Sequence, residues 1–255
     1  MRVCSLGSGS KGNAAVVTDG ATSLLIDCGL SARTLLGRLA ERGMEPKELD
    51  AILITHEHID HVRGLERLRE KSMQKAAVHM TRGTARKLKL AASAYKPICP
   101  QEPFLVGSLE VTPYPVPHDA SEPVQFMVRN GASRAGFLTD AGSVTAHATR
   151  VLSECDLLVV ECNYDIERLR ANPSYPQRLK MRISGSHGHL GNGEARELLQ
   201  KLAARRLRHV VAAHLSEENN LPQLAAAAIR ECLPKGKRIR VTVATQKEGF
   251  DWVDV

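Results

Sequence analysis

Thr55-His56-Glu57-His58-Ile59-Asp60-His61 follows directly on the apolar run Ala51-Ile52-Leu53-Ile54. A short unbroken apolar run reads as a strand buried on both faces, as in a sheet covered by helices. Three histidines and one aspartate are then crowded into six positions at its end. A lone histidine is usually structural. Four clustered imidazole and carboxylate groups are better explained as ligands, because these are the donors that Zn²⁺ and similar ions take. A turn after the strand would aim His56 and His58 at one ion and Asp60 and His61 at another.

One loop cannot close two coordination shells, so further ligand-type residues are expected at later strand ends. His118 follows LEVTPYPVP, Asp140 follows AGFLT, and His214 follows HVVAA. Each stands at the C-terminal end of an apolar run, where open sheets place their sites. Five histidines and two aspartates in such places match the mixed nitrogen and oxygen donors of a two-metal hydrolase.

Around this centre the chain alternates strand and helix patterns. Strands are expected at Val3–Leu6, 14–18, 23–27, 51–55, 77–80, 109–114, 124–129, 135–139, 157–160, 210–213 and 239–244. Helices are expected at 31–42, 62–71, 82–92, 143–153, 193–205 and 221–232. In the first of these Ser31 is the N-cap and Gly43 the stop. The mixture predicts an α/β fold of sheets covered by helices. The least regular stretch, 166–188, is either a surface insertion or a flap facing substrate.

The 255 residues are 43% hydrophobic and 25% charged. That balance excludes disordered, collagen-like and coiled-coil chains. No run of 18 apolar residues exists, so no membrane partner or span is expected. The start reads as a strand and a glycine loop, not a signal peptide. Six cysteines form no Cys-x-x-Cys pair and read as reduced, mostly buried thiols, which suits the cytoplasm. The net charge of +7 fits plain solubility, and it also fits an anionic partner such as nucleic acid. Cationic candidates for phosphate contact are Arg168, Arg170, Arg178, Lys180 and Arg182, with a second cluster at Arg205, Arg206 and Arg208. With only four Phe, four Tyr and one Trp, a long base-stacking platform is not expected.

Other polar positions carry open readings. Ser8, Ser10 and Asn13 lie in a Gly/Ser-rich loop that either cradles a phosphate or simply turns a hairpin. His189, between Gly188 and Leu190-Gly191, either caps backbone groups or acts as phosphate donor and general acid. Asn163 and Asn219 either contact substrate or brace the ligand loops, bracing being favoured for Asn163. Asn192 is a candidate helix cap and substrate contact.

These residues resemble the metallo-β-lactamase fold superfamily over nearly the whole chain. The resemblance implies a single domain, 1–255, folded as a four-layer αββα sandwich. It implies that His56, His58 and His118 hold one ion, that Asp60, His61 and His214 hold a second, and that Asp140 bridges them. Asp27, in LLIDCG, would support the ligand loop without binding metal. SLGSGSKGN, THEHIDHVRGL, PHDASEP, LTDAG, ECNYD, GHLGN and AHLSEENN together resemble the YycJ/WalJ-type branch.

That resemblance implies a DNA exonuclease acting 5′→3′, with two divalent ions per chain (Zn or Mn, Fe also compatible) and a metal-bridging hydroxide as nucleophile. Asp60 or Asp140 would orient that nucleophile. The alternative is a phosphodiesterase for small nucleotides or cyclic phosphate esters. An amide or thioester hydrolase, an iron oxidoreductase and a non-catalytic DNA-binding module fit the motifs less well. Two positions depart from the branch: Tyr164 stands where histidine is expected, and Gly191 where serine is. Oligomeric state is not legible.

Overall fold

The computed structural model describes residues 1–71, 76–202 and 206–255. Its strands are β1 (Arg2–Gly7), β2 (Ala14–Thr18), β3 (Ser23–Ile26), β4 (Ala51–Leu53), β5 (Ala77–Met80), β6 (Lys96–Pro97), β7 (Phe104–Val106), β8 (Leu109–Pro115), β9 (Val124–Asn130), β10 (Ser133–Leu138), β11 (Leu157–Glu161), β12 (His209–Ala213), β13 (Arg240–Val243) and β14 (Phe250–Asp254). Its α-helices are α1 (Ala32–Glu41), α2 (Ile59–Val62), α3 (Leu65–Lys71), α4 (Arg82–Lys87), α5 (Ala146–Leu152), α6 (Ile166–Ala171), α7 (Gln177–Ile183), α8 (Asn192–Leu202) and α9 (Pro222–Cys232).

The strands form two seven-stranded sheets, ordered β14-β1-β2-β3-β4-β5-β6 and β13-β12-β11-β10-β9-β8-β7. Both are mixed. The first is parallel from β3 to β6, the second from β10 to β13, and each is otherwise antiparallel. Alternation along each strand sorts side chains to opposite faces. Leu24, Ile26, Ala51 and Leu53 of the first sheet meet Leu157, Val159, Val211 and Ala213 of the second in one shared core. Leu25 and Ile52 point the other way, onto Leu35 and Leu39 of α1 and Leu65 and Leu68 of α3. Leu158, Val160, Val210 and Ala212 face α5, α8 and α9. The result is four layers, αββα, with three apolar seams. Each fully buried leucine in them contributes about 2 kcal/mol through the water it excludes.

Ser31 caps α1 by accepting from Thr34 N, and Gly43 at φ 72° ends that helix, as the sequence predicts. The expected helix at 62–71 begins only at Leu65, as α3, and a separate single turn, α2, precedes it, starting within the His56–His61 loop. Between them Gly64 N donates to Cys28 O at 2.7 Å, and an added Cβ would lie 2.6 Å from Leu30 O, so the turn is held against the 28–30 segment that follows Asp27. The expected helix at 82–92 stops at Lys87, and the end of the one at 193–205 lies outside the described residues. The stretch 166–188 is more regular than expected: it holds α6, capped by Asp165, and α7, which begins after Pro176. The edge strands β6, β7 and β14 were not expected. Cys4, Cys28, Cys155 and Cys162 are buried and unpaired, whereas Cys99 is exposed. Among the described residues, no helix is long and apolar enough to cross a membrane.

Candidate metal centre

Six strand ends converge at one edge of the sandwich. β3 supplies Asp27, β4 the His56–His61 loop, β8 His118, β10 Asp140, β11 Glu161, and β12 His214. Asp27, Asp140 and His214 have positive φ angles (59°, 50° and 54°). Non-glycine residues pay strain in that region; among the described residues only Lys89 and Gln101 share it away from these ends.

The imidazoles form a close group. His56, His58 and His118 have ring centroids 4.5–5.0 Å apart, and His61 and His214 lie 6.1 Å apart. Hydrogen bonds set the direction of each ring. The Thr55 hydroxyl has one proton, and it donates to Asp27. That oxygen therefore accepts from His56 Nδ1 at 3.0 Å, leaving His56 Nε2 with a free lone pair. His61 Nδ1 donates to Asp27 Oδ2 at 2.8 Å, His118 Nδ1 to Gly188 O at 3.0 Å, and His214 Nδ1 to Glu161 Oε1 at 2.8 Å. In all four rings Nε2 faces the centre.

Asp60 Oδ2 lies 3.5 Å from His61 Nε2 and 3.7 Å from His214 Nε2. Asp140 Oδ2 lies 3.3 Å from His61 Nε2, and its Oδ1 lies 3.5 Å from His214 Nε2. His58 Nδ1 faces His118 Nε2 at 3.3 Å. His56 Nε2, Asp140 Oδ2 and His214 Nε2 are buried without a hydrogen-bond partner. Buried polar atoms are seldom left so, and unpaired acceptors turned toward one point are what a cation requires. Donor atoms close enough to share an ion occur as His56, His58 and His118, as His56, His61 and Asp140, and as Asp60, His61 and His214.

The electrostatics agree. Burial disfavours charge on His61, but Asp140 and Asp27 outweigh it and hold its pKa well above the usual value. Burial also opposes charge on His214, which Asp140, Asp60 and Glu161 nonetheless raise to about 10. Asp60 and Asp140 are held low by these imidazoles against the cost of burial. His56 is driven the other way, by burial and then by the charge on His61. A divalent cation would displace the protons on His61 and His214 and satisfy the same carboxylates.

Glu161 is the residue that sequence reasoning missed. It is fully buried, and its Oε1 accepts from both His214 Nδ1 and His189 Nδ1 at 2.8 Å. Its Oε2 accepts from Ala141 N and Leu190 N. It also lies close enough to Asp140, His189 and His214 to be counted among potential ligands. With Oε1 already accepting two imidazole protons, it is better used as a brace.

His189 lines a cleft of about 290 Å³ together with Ser10, Asn163, Asn219, Tyr175 and Arg182. Burial lowers its basicity, but Glu161 raises it by more, which favours the protonated ring. A larger recess of about 460 Å³ lies across Ser216, between Leu221 and Gln246, but no histidine or aspartate lines it.

The other polar candidates divide. Ser10, Asn163 and Asn219 line the cleft, while Ser8, Asn13 and Asn192 are used inside the protein. Ser8 Oγ accepts from His214 N, Asn13 Oδ1 accepts from Gly9 N, and Asn192 exchanges amide hydrogen bonds with Asn220. Asn163 Nδ2 donates to His214 O, so it braces as well as lines. Tyr164 and Gly191 are one feature: a Cβ on Gly191 would lie 2.5 Å from the Tyr164 ring.

In the 166–188 stretch, Tyr175, Leu179, Arg182 and Ile183 line the cleft beside His189, so it is a flap over that cleft. Its cations are largely occupied. Arg182 donates twice to Asp119, Arg170 pairs with Glu167, Arg168 donates to Glu218 O, and Lys180 donates to Arg170 O. Of the second expected cluster, Arg205 lies outside the described residues. Arg206 pairs with Asp156 at the end of β12 remote from His214.

Residues 22–214 match the beta-lactamase superfamily domain family. Over 225 residues the chain is 34% identical to exodeoxyribonuclease WalJ of Streptococcus pneumoniae, covering 86% of this chain and 83% of that one. Over 237 residues it is 30% identical to exodeoxyribonuclease YycJ of Bacillus anthracis, covering 89% and 87%. The crystal structure of the metallo-beta-lactamase fold protein YhfI from Bacillus subtilis superposes with a TM-score of 0.77 at 16% identity, over 99% of this chain and 98% of that one. The fold, the converging strand ends and these similarities place the chain in the metallo-β-lactamase fold superfamily, in its YycJ/WalJ-type branch.

Proposed function

We propose that this metal-dependent hydrolase is a nuclease: a dinuclear phosphodiesterase that removes nucleotides from an end of DNA, in the 5′→3′ direction. The observation that carries it is the set of inward-facing Nε2 atoms and carboxylates shared around Asp140, in a chain similar along most of its length to two exodeoxyribonucleases. His56, His58 and His118 would hold one divalent ion, Asp60, His61 and His214 the other, with Asp140 reaching both. Zn²⁺ and Mn²⁺ suit these donors, and Fe²⁺ is compatible. When bound, the pair supplies an activated water and neutralises charge that develops on the phosphate.

The chain's own groups do the rest. Thr55, Asp27, the Gly188 carbonyl and Glu161 fix which nitrogen of His56, His61, His118 and His214 faces the centre. Asp60 and Asp140, both ionised, accept a proton from water or orient it. Protonated His189, held by Glu161, donates to a phosphate oxygen or to the departing alkoxide. Ser10, Asn163 and Asn219 offer hydrogen bonds to the nucleotide in the cleft. Unpaired buried thiols suit a reducing compartment, which supports a cytoplasmic location.

A second reading is a phosphodiesterase for small nucleotides, because the cleft beneath the flap has about the volume of one nucleotide. The deciding experiment is digestion of DNA labelled at either end, of matched RNA and of bis-p-nitrophenyl phosphate. Each is run with Mn²⁺, with Zn²⁺ and with chelator, beside Asp60→Ala/His61→Ala. Stepwise loss of DNA from its 5′ end, absent with chelator and in the variant, is expected. Turnover of the small ester with both polymers intact would instead establish the second reading.

A further inference from the structure

Between Arg82 and Lys96 the chain carries five cations (Arg82, Arg86, Lys87, Lys89 and Lys96) and no acid. All five are exposed, and among the described residues none has an ion-pair partner, unlike Arg170 and Arg182 of the flap. Arg82 and Arg86, on α4, form a shallow recess of about 300 Å³ with Leu90, Ala92 and Tyr95. Two guanidinium groups and an aromatic wall, with no carboxylate lining the recess, are the elements that hold a phosphodiester backbone and stack a base.

This recess is joined to the metal centre. Thr81 Oγ1 donates to Glu122 O at 3.0 Å, and Gly83 N donates to Glu122 Oε2 at 2.7 Å. An added Cβ at Gly83 would fall 2.5 Å from Glu122 Cβ, so α4 packs directly on the loop that carries His118. Ser121 N in turn donates to Glu57, which lies between His56 and His58. Of the carboxylates at this junction, Glu122 is taken up by Gly83 N, Glu57 accepts from Ser121 N, and Asp119 is neutralised by Arg182.

The geometry points to the α4–Tyr95 surface as the track for the nucleic-acid strand leading away from the cleft, with Arg82 and Arg86 on successive phosphates and Tyr95 against a base. This rests on the nuclease reading for what enters the cleft, but not for what binds the surface. The flap then covers the reacting nucleotide, and α4 supplies the affinity for a polymer.

The test measures binding of a fluorescein-labelled, phosphorothioate-linked DNA strand by anisotropy across a salt series, beside hydrolysis of bis-p-nitrophenyl phosphate. Arg82→Ala/Arg86→Ala should weaken strand binding about tenfold and make the log–log salt slope shallower by about 1.4, from two single-strand phosphate contacts. Tyr95→Ala should weaken binding about tenfold and Tyr95→Phe hardly at all. Hydrolysis of the small ester should be unchanged in all three. Lys235→Ala/Arg238→Ala, both exposed, removes equal charge beside the start of β13, at the end of the second sheet remote from His214, and should leave the slope unaltered.

If the wild type binds the strand through these arginines but cuts no polymer, the nuclease reading fails and the surface stands. If it cuts DNA and the arginine pair changes neither affinity nor slope, the surface is overturned and the nuclease reading stands. Wild-type binding to anionic phosphatidylglycerol vesicles but not to the strand would also overturn it.

Discussion

Asp27 and Glu161 stand at the ends of parallel strands in opposite sheets, and each aims an imidazole at the same centre. Asp27 is short, sits at φ 59°, and serves one neighbouring loop: it accepts from Thr55 N, Thr55 Oγ1 and His61 Nδ1. Glu161 has one more methylene and serves three loops, accepting from Ala141 N, Leu190 N, His189 and His214. The first sheet therefore braces a ligand alone, whereas the second ties a ligand to the histidine that faces the cleft. Under the proposed mechanism, metal binding and proton donation would be coupled only in the second half.

The largest expected effect breaks that coupling. Glu161→Gln and Asp27→Asn should each lower metal affinity about 10- to 100-fold, measured as bound metal after dialysis against a chelator series. Only Glu161→Gln should also move the basic limb of the kcat–pH profile. Glu161 raises the pKa of His189, so losing its charge lets His189 deprotonate earlier and shifts that limb to lower pH. An equal profile in the two variants would mean that the halves do not differ.

How much of this was legible follows from where each signal lies in the chain. The candidate ligands are compressed into His-x-His-x-Asp-His and echoed by His118, Asp140 and His214 after apolar runs, so residue type and place suffice to foresee that they cluster. Glu161 has no such mark. It ends an apolar run like the others, but its role comes from β11 lying between β10 and β12, which is a property of the sheet order. Ser8, Asn13 and Asn192 looked available for substrate because a sequence does not show backbone demand. The loops leave N–H groups and carbonyls that need partners; Ser8 and Asn13 meet that need directly, and Asn192 holds Asn220, whose amide donates to Cys162 O. The flap helices are six and seven residues long, too short for a periodic apolar stripe, although Asp165 and Pro176 mark their starts.

A smaller effect sharpens the comparison within the second half. Tyr164 and Gly191, the two positions read as departures from the branch motifs, touch: the ring occupies the space that a side chain at 191 would need. Gly191→Ser alone should destabilise by about 1–3 kcal/mol through overpacking. Adding Tyr164→His should recover most of that loss, giving a coupling of about 0.5–3 kcal/mol in a urea-unfolding cycle. Additive effects would show that the two departures arose from unrelated causes.

The smallest effect contrasts the two ends of β12. His214, among carboxylates, is raised to about 10, whereas His209 is lowered to about 4 by burial and by Arg240. His209 Nε2 bonds Thr242 Oγ1 at 2.8 Å, and its Nδ1 is buried without a partner, so the fold favours the neutral ring. A depressed basic pKa contributes stability that is complete above the unfolded value near 6.5 and is lost as pH falls through about 4. His209→Gln keeps a bond to Thr242 and removes the titration. Its Tm should therefore fall less than the wild type's between pH 7 and pH 5, by about 2 °C. The same substitution should leave bound metal unchanged at pH 7, because β12 separates the acid-sensitive end from the end that carries His214.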